Sequence, residues 1–130
     1  MKKWLLMLIA LLPVAVLVAA CGVSGSTGSS SSNMVTVTTN ATNFTQPSVT
    51  LKKGQTLQVT NNASDMHMLS LGRWQSGVAR PEQEAGAPSV SNLQLNANSS
   101  VTIGPWNTPG TYYIYCTIHP NMMLKVTVQS

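Results

Sequence analysis

The stretch YYIYCTIHPNMM, residues 112–123, reads as a β-strand that runs into a tight loop. Within seven residues the loop offers the thiol of Cys116, the imidazole of His119 and the thioether of Met122. These groups are soft or borderline metal ligands. A metal site here would need two further things from the rest of the chain, a second imidazole and a rigid β scaffold.

Short segments in which apolar and polar residues alternate account for most of residues 34–130. The alternating apolar residues are Val35 and Val37, Leu57 and Val59, Leu93 and Leu95, Val101 and Ile103, and Leu124, Val126 and Val128. This period of two is typical of half-buried strands, and Gly, Asn and Pro turn signals separate the segments. We therefore predict an all-β fold, a Greek-key β-sandwich of six to eight strands. Residues 72–90 show no clear period, so we expect a long irregular excursion there, with one helical turn near residues 81–85.

The N-terminus predicts export. Lys2 and Lys3 precede an uncharged apolar run over residues 5–20, which is shorter than the roughly 18 to 20 residues that span a bilayer. Residues 18–21, VAAC, resemble a bacterial lipobox, which implies cleavage before Cys21 and attachment of lipid to its thiol. The alternatives are a retained anchor helix and an ordinary signal peptide with an incidental cysteine.

Three segments follow from this interpretation of the N-terminus. Residues 1–20 are the predicted lipoprotein signal peptide. Residues 21–33 are the lipidated Cys21 and a tether made almost entirely of Gly, Ser and Thr, a composition typical of flexible linkers. Residues 34–130 are the predicted domain. We expect the protein to be lipid-anchored to the outer face of the cytoplasmic membrane, or to a membrane that faces the periplasm.

The chain has two cysteines, Cys21 and Cys116. In an exported protein two cysteines would by default form one disulfide. Lipid on Cys21 would prevent that bond and leave Cys116 as a lone thiol in an oxidising compartment. A metal bond would protect Cys116, because a coordinating thiol is deprotonated and held.

Charged residues are few and scattered. They make up 8% of the chain, and without residues 1–20 five basic and three acidic residues remain. The basic residues form no stripe, so the sequence argues against a nucleic-acid partner.

The chain has two histidines, His67 and His119. His119 follows Cys116 by three residues, a separation of at most about 10 Å, so a tight turn can aim both side chains at one ion. His67 lies far upstream, but a sandwich brings distant strands together. Two imidazoles, a thiolate and a weak thioether favour copper that transfers electrons. Zinc would more often have a further Cys or His, or an open water position.

Residues 110–122, followed by residues 125–128, resemble the C-terminal signature of type 1 copper proteins, the cupredoxins. The Cys-x2-His-x2-Met spacing is most similar to that of amicyanin and shorter than the plastocyanin loop. Residues 43–57 resemble the Phe-x-Pro and Val-x-x-Gly-x-Thr strand pair of the family. The resemblance covers essentially all of residues 34–130.

The resemblance implies one type 1 copper per domain, with His67, Cys116 and His119 as equatorial ligands and Met122 as the axial ligand. It also implies an electron carrier that is not an enzyme and has no small-molecule substrate. His119, with Pro120 and nearby apolar side chains, would be the electron port and the docking patch for redox partners.

Two positions near His67 depart from the family pattern. Met68 stands where the family usually has an Asn that ties the ligand loops together, and Met66 stands where a Pro is frequent. We expect the polar tie to be absent or replaced.

Three alternatives stay open at the level of sequence. Met123 could replace Met122 as the axial ligand, although Met122 shares the parity of the apolar residues of the last strand. A Cu(I) trafficking or sensor protein could use the methionines around His67 and after His119. A copper-free structural β-sandwich would require Cys116 to be inert.

Overall fold

A computed structural model describes residues 32–130. The predicted signal peptide, the predicted lipid site at Cys21 and nearly all of the predicted tether lie outside the described residues. Within residues 32–130, no helix is long and apolar enough to cross a membrane.

The described residues form nine β-strands. They are β1 (Met34–Thr39), β2 (Ser48–Lys52), β3 (Thr56–Asn61), β4 (His67–Gln75), β5 (Val78–Pro81), β6 (Leu93–Leu95), β7 (Ser100–Ile103), β8 (Gly110–Cys116) and β9 (Met123–Gln129). Each segment of alternating residues named above contributes to one of these strands. The alternation forms strands because it gives each one an apolar face and a polar face.

The strands form two sheets. One sheet has the order β1-β3-β7, and the other has the order β2-β9-β8-β4-β5, with β6 also paired to β4. The β1–β3 and β2–β9 pairs are parallel and the other pairs are antiparallel. Strands β1, β2 and β3 alternate between the two sheets, so the chain passes from one sheet to the other twice within residues 34–61. The prediction of an all-β sandwich is confirmed, although the described residues form nine strands rather than six to eight, because the prediction did not include β5.

One core lies between the two sheets. The first sheet contributes Val37, Leu57 and Val59, and the second contributes residues such as Ile114 and Val126, all of them almost fully buried. Full burial of such a side chain stabilises the fold by about 1.5–3 kcal/mol. The close packing of these side chains makes the ends of β4 and β8 a rigid base for the loops they carry.

Residues 72–81 form a hairpin, so the expectation of an irregular excursion with a helical turn is wrong for this part. β4 continues to Gln75, the chain turns at Ser76 and Gly77, whose φ angles are 51° and 75°, and β5 pairs back onto β4. Residues 81–85 contain no helical turn. The sequence pattern misses the hairpin because most of its residues are partly or fully exposed, so no apolar alternation marks it.

Gly72 allows this hairpin to form. Its φ is 128°, and a Cβ at this position would collide with the carbonyl oxygen of Arg80 on β5. Only glycine tolerates such a backbone conformation and such a close approach without strain.

The hairpin covers the outer face of β8. The Arg73 guanidinium lies over the Tyr113 ring at 4.6 Å, and the Trp74 ring meets Tyr115 edge-on at 6.2 Å. Arg73 is held in place by Glu82 at 2.9 Å and Glu84 at 3.6 Å. Tyr115 is therefore buried although it points away from the core, and this burial raises the pKa of its phenol above the ordinary value of 10.0.

Candidate metal centre

Three predicted ligands meet at one end of the sandwich. His67 begins β4, Cys116 ends β8, and His119 lies in the loop between β8 and β9. Strands β4 and β8 are antiparallel, with Leu69 opposite Cys116, so the start of one strand lies beside the end of the other. The fold thus brings His67 to the loop that carries Cys116 and His119.

The three side chains aim their donor atoms at one point. The Nδ1 atoms of His67 and His119 are 3.0 Å apart, and Cys116 Sγ lies 3.9 Å from the first and 3.5 Å from the second. His67 and Cys116 are fully buried, and His119 is half-buried. Among the described residues, this is the cluster of His, Cys, Asp or Glu donors that could hold a metal ion.

The donor set fits copper. Two imidazole nitrogens and one thiolate are the ligands of a trigonal type 1 copper site. The cluster contains no carboxylate, whereas calcium and magnesium require oxygen ligands. The predicted ligands His67, Cys116 and His119 are thus brought together in an arrangement that suits a soft or borderline ion.

The ring of His67 is held in the tautomer that a metal needs. Its Nε2–H donates to the carbonyl oxygen of Asn40 at 3.0 Å, which leaves the lone pair of Nδ1 facing the other donors. Burial, and secondarily the proximity of His119, lower the pKa of His67 below 6.5, although the Asn40 hydrogen bond opposes this shift. The neutral imidazole is thereby favoured, and it is the form that binds a metal ion.

Asn40 has its carbonyl in place because its own side chain builds the turn. Asn40 Oδ1 accepts hydrogen bonds from the backbone N–H groups of Thr42 and Asn43, at 3.0 Å and 2.8 Å. This is an Asx-type turn, one of the usual roles of asparagine after a strand. Sequence reasoning missed Asn40, because the turn signal in residues 40–43 does not show which side chain the turn will face.

Met68 ties the Cys116 region to β4 through its main chain. Its N–H points at Cys116 Sγ at 3.5 Å, and its carbonyl oxygen accepts from the Thr117 N–H at 2.8 Å. The main chain of Met68 therefore contacts both the side chain of Cys116 and the backbone of the next residue, Thr117. This link needs no polar side chain at position 68.

A second polar tie comes from Asn61 at the end of β3. Asn61 is fully buried, and its side-chain amide donates to the carbonyls of Asp65 at 2.7 Å and Asn96 at 3.1 Å. Its Oδ1 accepts from the Ala63 N–H at 2.9 Å and from the Thr39 hydroxyl at 3.2 Å. Asn61 thus fastens residues 62–66, the loop that delivers His67. The sequence marks Asn61 as a turn residue but does not show that it is buried.

The loop after Cys116 closes tightly. The Met122 N–H donates to the His119 carbonyl at 3.3 Å, and the Cys116 N–H donates to the Met122 carbonyl at 3.0 Å. Asn121 lies between them with a φ of 62°, a left-handed conformation that asparagine adopts more readily than most residues. This turn places Met122 opposite Cys116 across the β8–β9 pair.

The two methionines after this turn face opposite sides of the sheet. Met122 is fully buried in the core on the same side as Cys116. Met123 pairs with Tyr115 on the outer side, and its Sδ accepts from the Trp74 backbone N–H at 3.0 Å. The structure therefore supports Met122, rather than Met123, as the methionine available to the metal.

The remaining predicted residues lie at the surface of this end. Pro120 is exposed beside the half-buried His119. Ile118 is 47% exposed and Met66 is 41% exposed, so each of the two loops presents an apolar side chain to solvent.

Comparison with known proteins agrees with the geometry. The model of the copper-binding protein family described as plastocyanin/azurin matches residues 31–129. A search of curated proteins finds no match.

Solved structures of amicyanin share the fold. Amicyanin from Paracoccus versutus (Thiobacillus versutus) has a TM-score of 0.57 and 23% identity, over 75% of this chain and 83% of that chain. A reduced Trp-to-Tyr variant of amicyanin has a TM-score of 0.56 and 20% identity, over 75% of this chain and 84% of that chain. A Met-to-Ala variant of amicyanin with Cu(I) has a TM-score of 0.55 and 20% identity, over 75% of this chain and 83% of that chain.

The family match covers the whole sandwich, and the cluster of His67, Cys116 and His119 provides the donors that one copper ion requires. The predicted cofactor, a single type 1 copper, is thereby confirmed. The chain belongs to the plastocyanin/azurin family of copper-binding proteins.

Proposed function

We propose that this protein is a mononuclear type 1 copper electron carrier that is tethered to a membrane and passes single electrons between redox partners. The observation that carries the proposal is the convergence of Cys116 Sγ with the Nδ1 atoms of His67 and His119 at a buried end of the sandwich. Such a set serves both oxidation states of copper.

The chain itself supplies the ligands and keeps them in place. His67, Cys116 and His119 would hold the copper as its main ligands, and Met122 would be its weak fourth ligand. Copper, when bound, supplies the one-electron chemistry. Asn40 orients the ring of His67, the main chain of Met68 supports Cys116, and Asn61 fastens the loop before His67. Because these supports are already in place among packed strands, little rearrangement of the ligands accompanies the electron.

His119 is the proposed electron port. His67 and Cys116 are buried, whereas His119 is half-buried. A partner protein can therefore approach His119 more closely than the other two ligands. Pro120, Ile118 and Met66 provide exposed apolar surface near the ligand loops. A small apolar patch suits a transient partner, because weak redox encounters bury little surface. The site binds no substrate in this proposal, and the protein is not an enzyme.

Lipid on Cys21 and the tether in residues 22–33 would hold the domain at a membrane surface that faces the periplasm. The support for this part is the sequence of residues 1–33 alone. Twelve tether residues reach about 20 Å on average, so the domain could still turn its His119 end toward a membrane-bound partner.

The rival function, Cu(I) trafficking by a methionine-rich site, is less well supported. Met122 is buried in the core, Met123 is engaged with Trp74 on the other face of the sheet, and Met66 is exposed. These methionines therefore do not form one cluster around His67.

The test is an absorption spectrum with metal analysis on a chain that begins at residue 22. The copper-loaded protein should contain one copper and show the strong visible absorption of a copper–thiolate bond. Cys116→Ser should abolish the colour while the far-UV circular dichroism stays that of a β protein. Folded protein loaded with Cu(II) but without this absorption would refute the proposal. Copper lost to a Cu(I) acceptor on reduction would favour trafficking.

A further inference from the structure

Trp74 contacts the back of the copper ligand strand in three ways. Its indole Nε1–H donates to the carbonyl oxygen of Cys116 at 3.0 Å. Its backbone N–H donates to Met123 Sδ at 3.0 Å. Its ring meets Tyr115 edge-on, with an interplanar angle of 88°. These contacts all fall on residues next to, or part of, the ligand pair Cys116 and Met122.

The indole lies on the opposite face of the sheet from the copper ligands. Cys116 and Met122 face the core, whereas Tyr115 and Met123 face the hairpin. The connection from Cys116 Sγ to the indole runs through the side chain and carbonyl group of the same residue and then across one hydrogen bond. Every step of this connection is a covalent bond or a hydrogen bond, so an electron needs no through-space step.

Trp74 lies next to the solvent-exposed tip of the hairpin. Trp74 is half-buried, and the hairpin tip that follows it, from Gln75 to Val78, is exposed, with Val78 at 50%. Trp74 therefore connects a copper ligand to the flank of the molecule, through Cys116 rather than through the half-buried ligand His119.

We infer that Trp74 provides a second route for electrons, from the flank of the β4–β5 hairpin through its indole N–H to the Cys116 carbonyl and so to the copper. The inference rests on the proposed function. Packing alone does not require the indole nitrogen, since a phenylalanine ring could also cover Tyr115. The hydrogen bond to a residue that ligates copper is what distinguishes Trp74 from an ordinary packing residue.

The test uses a photosensitiser attached at one of two surface positions of the copper-loaded chain that begins at residue 22 and so lacks Cys21. A ruthenium polypyridyl group is coupled to a cysteine introduced by Val78→Cys, beside Trp74, or by Ala41→Cys, an exposed position beside Asn40 on the His67 side. Cys116 is committed as a copper ligand during labelling. Light transfers one electron from the excited label to the oxidised copper, and the bleaching of the visible band gives the rate.

Trp74→Phe is the decisive variant, because it keeps an aromatic ring against Tyr115 and removes the N–H. We expect the rate from the Val78 label to fall several-fold and the rate from the Ala41 label to stay unchanged. An unchanged rate from Val78 would overturn the inference. An equal fall from both labels would also overturn it, because Trp74 would then act by altering the copper site itself.

A metal-free measurement tests the hydrogen bond directly. In the NMR spectrum of the metal-free protein, the Trp74 indole N–H should exchange slowly with solvent. Rapid exchange would show that the bond to Cys116 is not formed and would overturn the route.

If copper accepts electrons from neither label, the proposed carrier function fails too. If it accepts them from both, independently of Trp74, only this inference fails.

Discussion

Asn61 is expected to be the polar side chain on which the copper end of the sandwich depends most. Its amide makes four hydrogen bonds in a fully buried setting, two donated and two accepted. Asn61→Ala would leave the carbonyls of Asp65 and Asn96, the Ala63 N–H and the Thr39 hydroxyl without this partner. The loop that precedes His67 would then lose its fastening.

The size of the effect follows from those bonds. Each buried group left without a partner costs about 1–3 kcal/mol, but three of the four belong to loop backbone that water can reach once the loop loosens. We therefore expect a loss of about 3 kcal/mol in the free energy of unfolding. For a domain of this size, each kcal/mol lowers Tm by about 4–8 °C, so Tm should fall by at least about 12 °C.

The assay is thermal and urea unfolding of the metal-free protein, followed by copper titration. Asn62→Ala is the matched control, because Asn62 is the exposed neighbour and should change stability by less than about 0.5 kcal/mol. Copper affinity should fall about 10–100-fold for Asn61→Ala, the usual cost of losing a group that orients a ligand. If Asn61→Ala matches Asn62→Ala in both measurements, the reasoning is refuted.

Three other predictions concern the ligand loop and the hairpin. Met122→Leu should change the visible spectrum and the reduction potential of the copper protein, whereas Met123→Leu should leave both nearly unchanged; the reverse result would exchange their roles. Asn121→Ala should cost about 1–2 kcal/mol in unfolding free energy because of its φ of 62°, while Asn121→Gly should cost less, and equal losses in urea unfolding would contradict this explanation. Gly72→Ala should detach β5 from β4 and expose Tyr115. Quenching of tyrosine fluorescence by a soluble quencher would detect this exposure. Unchanged quenching would show that the strand tolerates the Cβ.

The copper ligands illustrate how far local sequence carries the prediction. Cys116, His119 and Met122 are close in the chain, and their spacing predicts one loop around one ion. His67 could be predicted because the chain offers only one other histidine. The distance between His67 and Cys116 could not be predicted. It depends on the antiparallel register of β4 and β8, in which Leu69 lies opposite Cys116.

The supports of the site were less predictable. Met68 looked like the loss of a polar tie, yet its main chain makes the tie, and every residue type except proline carries the same N–H and carbonyl. Asn40 and Asn61 look alike in the sequence, as turn residues after strands. One uses its side chain to aim its carbonyl at His67, and the other uses its side chain to hold a distant loop.

The sequence by itself determined most of the strands, the family resemblance and the soft ligands of the loop over residues 116–122. These depend on the order of neighbouring residues, which sets which side chains share a strand face or a turn. Only the tertiary structure decided that the hairpin of residues 72–81 lies over Tyr115, and that Trp74 reaches the Cys116 carbonyl. Those contacts join residues far apart in the chain, and the physical reason is that sheet register and strand bending, here at Gly72, set which distant groups meet.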